Sequence, residues 1–114
     1  MAASDAFDNV PSGSRLDIEV RQEGEQHLVK GQLRHDGHGV PLGELEDRVT
    51  SVILGQPGWY QLVIQIAFFG RLTERVDIRL SVENPQGGRL REHRREFTGS
   101  SGDAHLFSKD ISVV

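Results

Sequence analysis

The chain has 114 residues, a hydrophobic fraction of 36%, a charged fraction of 26% and a formal net charge of -4. This length fits one domain with a real core, and the balance of apolar and charged residues excludes a chain that is disordered throughout. Cysteine is absent, which excludes disulfides and thiol chemistry, and the negative charge disfavours a nucleic-acid partner.

The N-terminal segment is small and polar, with a proline and a glycine near its end. We therefore expect a flexible tail at residues 1–13 and a single domain at residues 14–114. Phe7 and Val10 are the side chains that can attach this tail to the domain. The segment lacks the basic and apolar regions of a secretory signal, which predicts a cytoplasmic protein or a domain excised from a larger one.

Two strands are predicted in the first third of the chain. Apolar and charged residues alternate from Arg15 to Arg21, which indicates a strand with one face in water. A Glu-Gly-Glu turn leads to a second strand at 26–35, where Gly31 marks a bulge or a close backbone approach. Residues 35–43 fit no regular element and are predicted to form a loop, followed by a helical turn or a solvated connection at 44–47.

The run from Val49 to Gly70 contains no Asp, Glu, Lys or Arg, and we expect the core to form around it. Glutamines and a central Pro-Gly pair interrupt the run, which argues against a membrane helix, so no membrane insertion is expected. The pattern predicts two buried strands, Val49 to Leu54 and Trp59 to Phe69, around a corner at 55–58.

Three further strands are predicted in the C-terminal half. The clearest alternation lies between Arg71 and Glu83, and we expect this strand to form a hairpin with the strand at 59–69. Residues 89–97 are highly charged, which is typical of an edge strand, and a last strand is expected from Ala104 to Val114. Seven such strands predict an antiparallel β-sandwich, with a small β-barrel as the alternative because strand spacing does not distinguish the two.

Part of this pattern resembles a known family. The stretch PGWYQLVIQI at 57–66, followed by VDIRLSV at 76–82, resembles the Pro-Gly-x-Tyr-x-Leu-x-Val hairpin of immunoglobulin-like and fibronectin-type-III-like domains. The resemblance implies an immunoglobulin-like sandwich. It also implies that Tyr60 packs on the core and forms a hydrogen bond with the backbone a few residues upstream.

The strand at 59–69 is apolar on both faces, although a sandwich strand normally shows water one polar face. Either another part of the chain covers the second face or the face binds a partner. The chain's own candidates for covering it are Phe7, Val10, Leu42 and Leu45. On the second interpretation the binding residues are Trp59, Val63 and Phe69.

A second candidate surface is the charged strand at 89–97, with Arg91, Arg94 and Arg95 as its binding residues. Residues 71–95 hold seven arginines and four acidic residues. Because Glu92 and its neighbours reduce the local potential, an acidic protein surface fits this edge better than a nucleic acid does.

The histidine loop, residues 35–38, contains His35, Asp36 and His38. Imidazole and carboxylate groups bind zinc, but a third or fourth ligand would have to come from elsewhere, so these residues are weak metal candidates and no metal or cofactor is expected. No segment has the context of a catalytic nucleophile, so no enzyme is expected.

These observations favour a non-catalytic protein–protein binding or assembly module. Its partner is another protein or a second copy of the chain, and a homodimer through the face at 59–69 is one such form. The alternative is an accessory domain that binds a carbohydrate or another small molecule, with Trp59 and the histidine loop as its platform.

Overall fold

The computed structural model describes residues 6–45 and 48–114, and all the regular structure in these residues is β-strand. The nine strands are β1 (Phe7–Val10), β2 (Ser14–Glu23), β3 (His27–His35), β4 (His38–Glu44), β5 (Val49–Leu54), β6 (Gly58–Phe68), β7 (Glu74–Glu83), β8 (Arg89–Gly99) and β9 (Ala104–Val113). Nine strands stand in place of the seven expected, because the tail and the loop each contribute one.

The strands form two separate sheets, one with the order β1-β9-β6-β3-β4 and the other with the order β5-β2-β7-β8. Neighbouring strands are antiparallel except β1 and β9, which are parallel. Both sheets are open, so the predicted all-β, two-sheet architecture is confirmed and the alternative of a closed barrel is wrong.

One hydrophobic core contains residues from both sheets. Leu16 and Ile18 of β2 and Leu80 of β7 are completely buried, because strict alternation sends these side chains inward and their charged neighbours outward. Each such aliphatic side chain contributes about 1.5–3 kcal/mol when it is removed from water. Phe97 of β8 and Phe107 of β9 meet edge to face across the sheets, with ring centroids 5.9 Å apart.

The prediction of a flexible tail is wrong for residues 7–10, which form strand β1. The side chains of Phe7 and Val10 are buried in the core, and β1 pairs with β9. Beyond the strand, the N–H of Val114 donates to the carbonyl of Val10 at 2.8 Å and the N–H of Ser12 donates to the carbonyl of Val114 at 3.2 Å. Two apolar side chains are therefore enough to bring a polar segment into the sheet.

The prediction of a loop at residues 35–43 is also wrong, because β3 and β4 form a hairpin. Asp36 and Gly37 occupy its two-residue turn with φ angles of 49° and 79°. Positive φ at both central positions gives the turn a twist that matches the twist of the flanking strands.

The prediction for Gly31 is confirmed. The β3–β4 register shifts between Gly31 and Gln32, and Leu45 packs closely over the glycine. A Cβ atom on Gly31 would lie 2.9 Å from Cδ1 of Leu45. Leu45 is buried in the core, whereas the rest of the predicted turn, residues 46–47, lies outside the described residues.

The expected hairpin between the strands at 59–69 and 71–83 does not form, because β6 and β7 lie in opposite sheets. Both edges of β6 are occupied, one by β3 and the other by β9, which leaves no edge for β7. The prediction that residues 89–97 form an edge strand is confirmed, since β8 ends the four-stranded sheet.

Candidate functional site

The outer face of the five-stranded sheet carries Trp59, Val63 and Phe69, but it does not bring them together. Trp59 is 57% exposed and Phe69 is 56% exposed, and they lie at opposite ends of β6, about 30 Å apart for an extended strand. Val63 is half-buried between its cross-strand neighbours Gln32 and Ser108. Polar residues of adjacent strands therefore interrupt the apolar row of β6.

The four residues that were candidates for covering this outer face do not cover it. Phe7, Val10 and Leu45 belong to the core, and Leu42 packs against it from β4. Their side chains occupy the opposite side of the sheet from Trp59, so they leave the Trp59 side chain largely in solvent.

The structure does bring Trp59 together with the histidine loop. Both line a cleft of about 470 Å³ at one end of the five-stranded sheet. The cleft is bordered by Arg34, His35, Asp36, Gly37, Trp59, Tyr60, Gln61 and Asp110. Of these residues, sequence reasoning missed Arg34, Gln61 and Asp110. They lie side by side on β3, β6 and β9, on the same outer face as Trp59.

His35 is held in place by two contacts. Its ring stacks on Tyr60 with centroids 4.1 Å apart, and Nε2 lies 3.0 Å from the carbonyl oxygen of Pro57. Because a carbonyl only accepts, Nε2 carries the proton and is not free to bind a metal. Within the two described ranges, no three histidine, aspartate or glutamate side chains are placed to share a metal ion.

The three arginines of the basic edge point in two directions. Arg94 is paired with Arg79 across the strands and lies on the outer face, whereas Arg91 and Arg95 are paired with the buried residues Val82 and Ile78 and lie on the core side. This difference follows from the alternation of side chains along a strand. Residues 91 and 95 are an even number of positions apart and share one face, whereas residue 94 lies on the other face.

Arg94 is committed to an ion pair on the outer face. Its guanidinium donates to both carboxylate oxygens of Asp77, at 2.6 and 3.3 Å. This hydrogen bonding lowers the pKa of Asp77 and raises the pKa of Arg94. Beside them, Arg79 donates to Glu92 at 2.9 Å, so the outer face of this sheet offers paired charges rather than a basic patch.

Arg91 and Arg95 have no ion pair within the described part of the chain. The guanidinium of Arg95 lies 5.2 Å from the ring centre of Phe97 and 5.8 Å from that of Phe107, where the aromatic faces attract it. Of the three predicted basic residues, these two remain available to an acidic partner.

Sequence reasoning missed the open edge formed by β5. This strand, VTSVIL, ends the four-stranded sheet, and on its outer side Val49 is 53% exposed and Ile53 is 61% exposed. The sequence signal for an exposed edge is weak, because an uncharged run predicts burial and not an open border.

The C-terminal turn does not assemble a catalytic group. The carboxylate of Asp103 accepts the backbone N–H of Ser100 at 2.9 Å, and Nε2 of His105 lies 3.3 Å from the carbonyl of Thr98. In the described residues, these contacts stabilise a turn and connect no serine to a histidine.

Comparison of the chain with protein-family models, curated proteins and solved structures gives no match. Among the described residues, no helix has the length and apolar character needed to cross a membrane.

Proposed function

We propose that this domain is a non-catalytic assembly module whose copies join through the open edge of β5. The observation that supports this proposal is that β5 lacks the features that protect the other three sheet edges. An uncharged edge strand of β-branched residues presents unpaired backbone groups to any strand that can align with it.

The other three edges are each blocked in a recognisable way. β1 has only four residues and a positive φ of 56° at Asn9. β4 contains Pro41, a left-handed Gly43 and a register shift. β8 contains four arginines and two glutamates, and charged side chains on an edge strand oppose pairing with a second copy.

The backbone of β5 is oriented for pairing. The N–H of Val20 donates to the carbonyl of Arg48, and in an antiparallel pair the residues that exchange hydrogen bonds alternate. Thr50 and Val52 therefore direct their backbone groups toward β2. The backbone groups of Val49, Ser51 and Ile53 point to the open edge.

The strand is also complementary to itself. When two copies align antiparallel about Ser51, Val49 of each copy faces Ile53 of the other, and the central position holds two small serines. This register forms about six backbone hydrogen bonds and two β-branched cross-strand pairs. It is a twofold contact, the commonest symmetry among soluble oligomers.

Sedimentation equilibrium over a wide concentration range tests the proposal, with Val49→Lys as the disruptive variant. Val49 lies opposite Glu19, so a lysine at this exposed position gains an ion-pair partner within its own chain and should fold. We expect a concentration-dependent dimer for the wild type and a monomer for Val49→Lys. Leu72→Lys, at a position 81% exposed and outside every strand, is the matched control and should remain a dimer.

A strictly monomeric wild type at all concentrations would overturn the proposal. Val63→Arg distinguishes the two candidate surfaces. If Val63→Arg dissociates the dimer and Val49→Lys does not, the copies join through the outer face of β6 and not through β5.

We also propose that the sandwich is of the immunoglobulin-like type. The support is the hydroxyl of Tyr60, which accepts the backbone N–H of Gln56 at 3.1 Å, the contact that the resemblance implies. An experimentally determined structure of the chain tests this assignment through its strand order and through the position of Tyr60 at the corner.

A further inference from the structure

The cleft beside Trp59 lies where the β3–β4 turn meets the start of β6 and the end of β9. The Trp59 side chain is largely in solvent, and its cross-strand neighbour is the small residue Ser112. Trp59 is an exposed aromatic residue that borders this cleft together with charged side chains.

Hydrogen-bonding side chains border the indole. Arg34, Gln61 and Asp110 form a cross-strand row on the same face of the sheet, one step along from Trp59. Arg34 uses its Nε to bind Gln32 at 3.1 Å, which leaves its terminal nitrogens available. Asp110 is exposed and has no hydrogen bond or ion pair within the described residues.

The turn contributes a second carboxylate. The side chain of Asp36 is 71% exposed, and its Oδ2 lies 3.5 Å from Nε2 of His35. Together the cleft offers two carboxylates, one guanidinium and one amide, so donors and acceptors are both present in a small area.

The corner that borders the cleft is fixed by contacts within the chain. His35 stacks on Tyr60 and binds Pro57, and the Tyr60 hydroxyl binds Gln56. A site whose walls are already ordered loses little conformational entropy on binding, so its few polar contacts contribute more fully to affinity.

From this arrangement we propose that the cleft binds a neutral carbohydrate. A sugar ring has a flat apolar face that fits the indole, and its hydroxyl groups donate to carboxylates and accept from the guanidinium and the amide. An anionic ligand would be repelled by Asp36 and Asp110, and a cationic ligand would meet the guanidinium of Arg34 beside the two carboxylates, whereas a neutral ligand meets no like charge. The cleft lies on the sheet that does not contain β5, and no residue of β5 is among those that border it.

Tryptophan emission tests the proposal directly, because Trp59 is the only tryptophan in the chain. Purified protein is titrated with neutral oligosaccharides of glucose, galactose, mannose, xylose and N-acetylglucosamine, each to about 10 mM, which detects dissociation constants near 1 mM. Tetramethylammonium and a heparin hexasaccharide serve as cationic and anionic probes. We expect a saturable shift of the emission with at least one neutral saccharide and none with the charged probes.

Matched variants locate the site. Asp110→Asn and Arg34→Gln remove one charged hydrogen-bonding group each and should weaken binding by about tenfold or more. Phe69→Ala, which removes an exposed aromatic ring at the other end of β6, should leave the affinity unchanged. Val49→Lys should also bind normally, which separates this site from the β5 edge.

Three outcomes would overturn the proposal. The first is the absence of a saturable response to every neutral saccharide in the panel. The second is a response to a charged probe alone, which would assign the cleft to another ligand class. The third is saccharide binding that Asp110→Asn and Arg34→Gln leave unchanged, because such binding does not use this cleft.

Discussion

Nδ1 of His27 lies 2.7 Å from Oε1 of Glu74, and both side chains are largely buried. The same carboxylate accepts the backbone N–H groups of Glu25 and Gln26, each at 3.0 Å. These contacts connect the β2–β3 turn to the start of β7, and they join the two sheets at one end of the sandwich. The hydrogen bond with His27 is the main reason that the pKa of Glu74 is lowered from its ordinary value of 4.5.

Glu74→Gln should lower the midpoint of thermal unfolding by several degrees at neutral pH, because the ionised carboxylate holds three donors. The folded state lowers the pKa of Glu74, so the stability that the carboxylate contributes is complete above pH 4.5 and is lost as the pH falls through the folded-state pKa. Thermal unfolding followed by circular dichroism between about pH 3 and pH 7 should therefore show the wild type and the variant converging in acid.

Glu25→Gln is the control for this experiment, because the exposed side chain of Glu25 makes no contact of this kind while its backbone N–H still binds Glu74. A constant difference between the wild type and Glu74→Gln across the whole pH range would contradict the assigned role of the carboxylate.

The strands could be predicted from the sequence where one row of side chains is periodic. β5 lies at 49–54 as predicted, and β2 and β7 follow from their alternation. The partners of each strand could not be predicted, because a two-residue period fits any neighbour equally well. The β3–β4 hairpin could have been predicted from the sequence, because Asp36-Gly37 is a strong signal for a two-residue turn.

The candidate surfaces could likewise be predicted from the sequence only in part. Trp59 and the histidine loop share a cleft because the corner before β6 lies beside the β3–β4 turn, as the small-molecule interpretation requires. The interruption of the apolar row at Val63 could not be predicted, because Gln32 and Ser108 come from strands distant in sequence. The edge position of β5 has no signal in its own residues, since only the order of the sheet defines an edge.

Tyr60→Phe should cost about 1 kcal/mol, because it removes the hydroxyl that accepts the N–H of Gln56 while the ring remains in the core. Tyr60→Ala should cost about 3–5 kcal/mol, because the cavity and the lost stacking on His35 add to that loss. Urea unfolding measures both values. Equal costs for the two variants would show that the hydroxyl, and not the ring, fixes this corner.

Gly31 and Leu45 should show strong energetic coupling. Gly31→Val should cost about 3 kcal/mol, because the added methyl groups enter the space of Leu45, and Leu45→Ala should cost about 2–4 kcal/mol through the cavity it leaves. In the double variant the valine fills part of that cavity, so the combined loss should be smaller than the sum by about 1 kcal/mol or more. A double-mutant cycle by urea unfolding measures this coupling, and additive losses would show that the two residues do not compete for space.

Val52→Pro should reduce the stability of the fold, whereas Ser51→Pro should prevent dimerisation, although the two positions are adjacent in β5. Val52 directs its N–H toward β2, so proline at position 52 breaks the ladder and should cost about 3 kcal/mol or more. Ser51 directs its N–H to the open edge, so proline at position 51 should leave a folded chain that cannot pair with a second copy. Circular dichroism measures the first effect and sedimentation equilibrium the second.

Ser51→Ala is the control for the lost hydroxyl, which donates to Asp17 at 2.6 Å. This variant keeps the edge-facing N–H and should remain a dimer. A folded Ser51→Pro chain that still dimerises would show that the copies do not join through the backbone of β5. An unfolded Ser51→Pro chain would show that this N–H is needed within the monomer, and the orientation assigned to β5 would then be wrong.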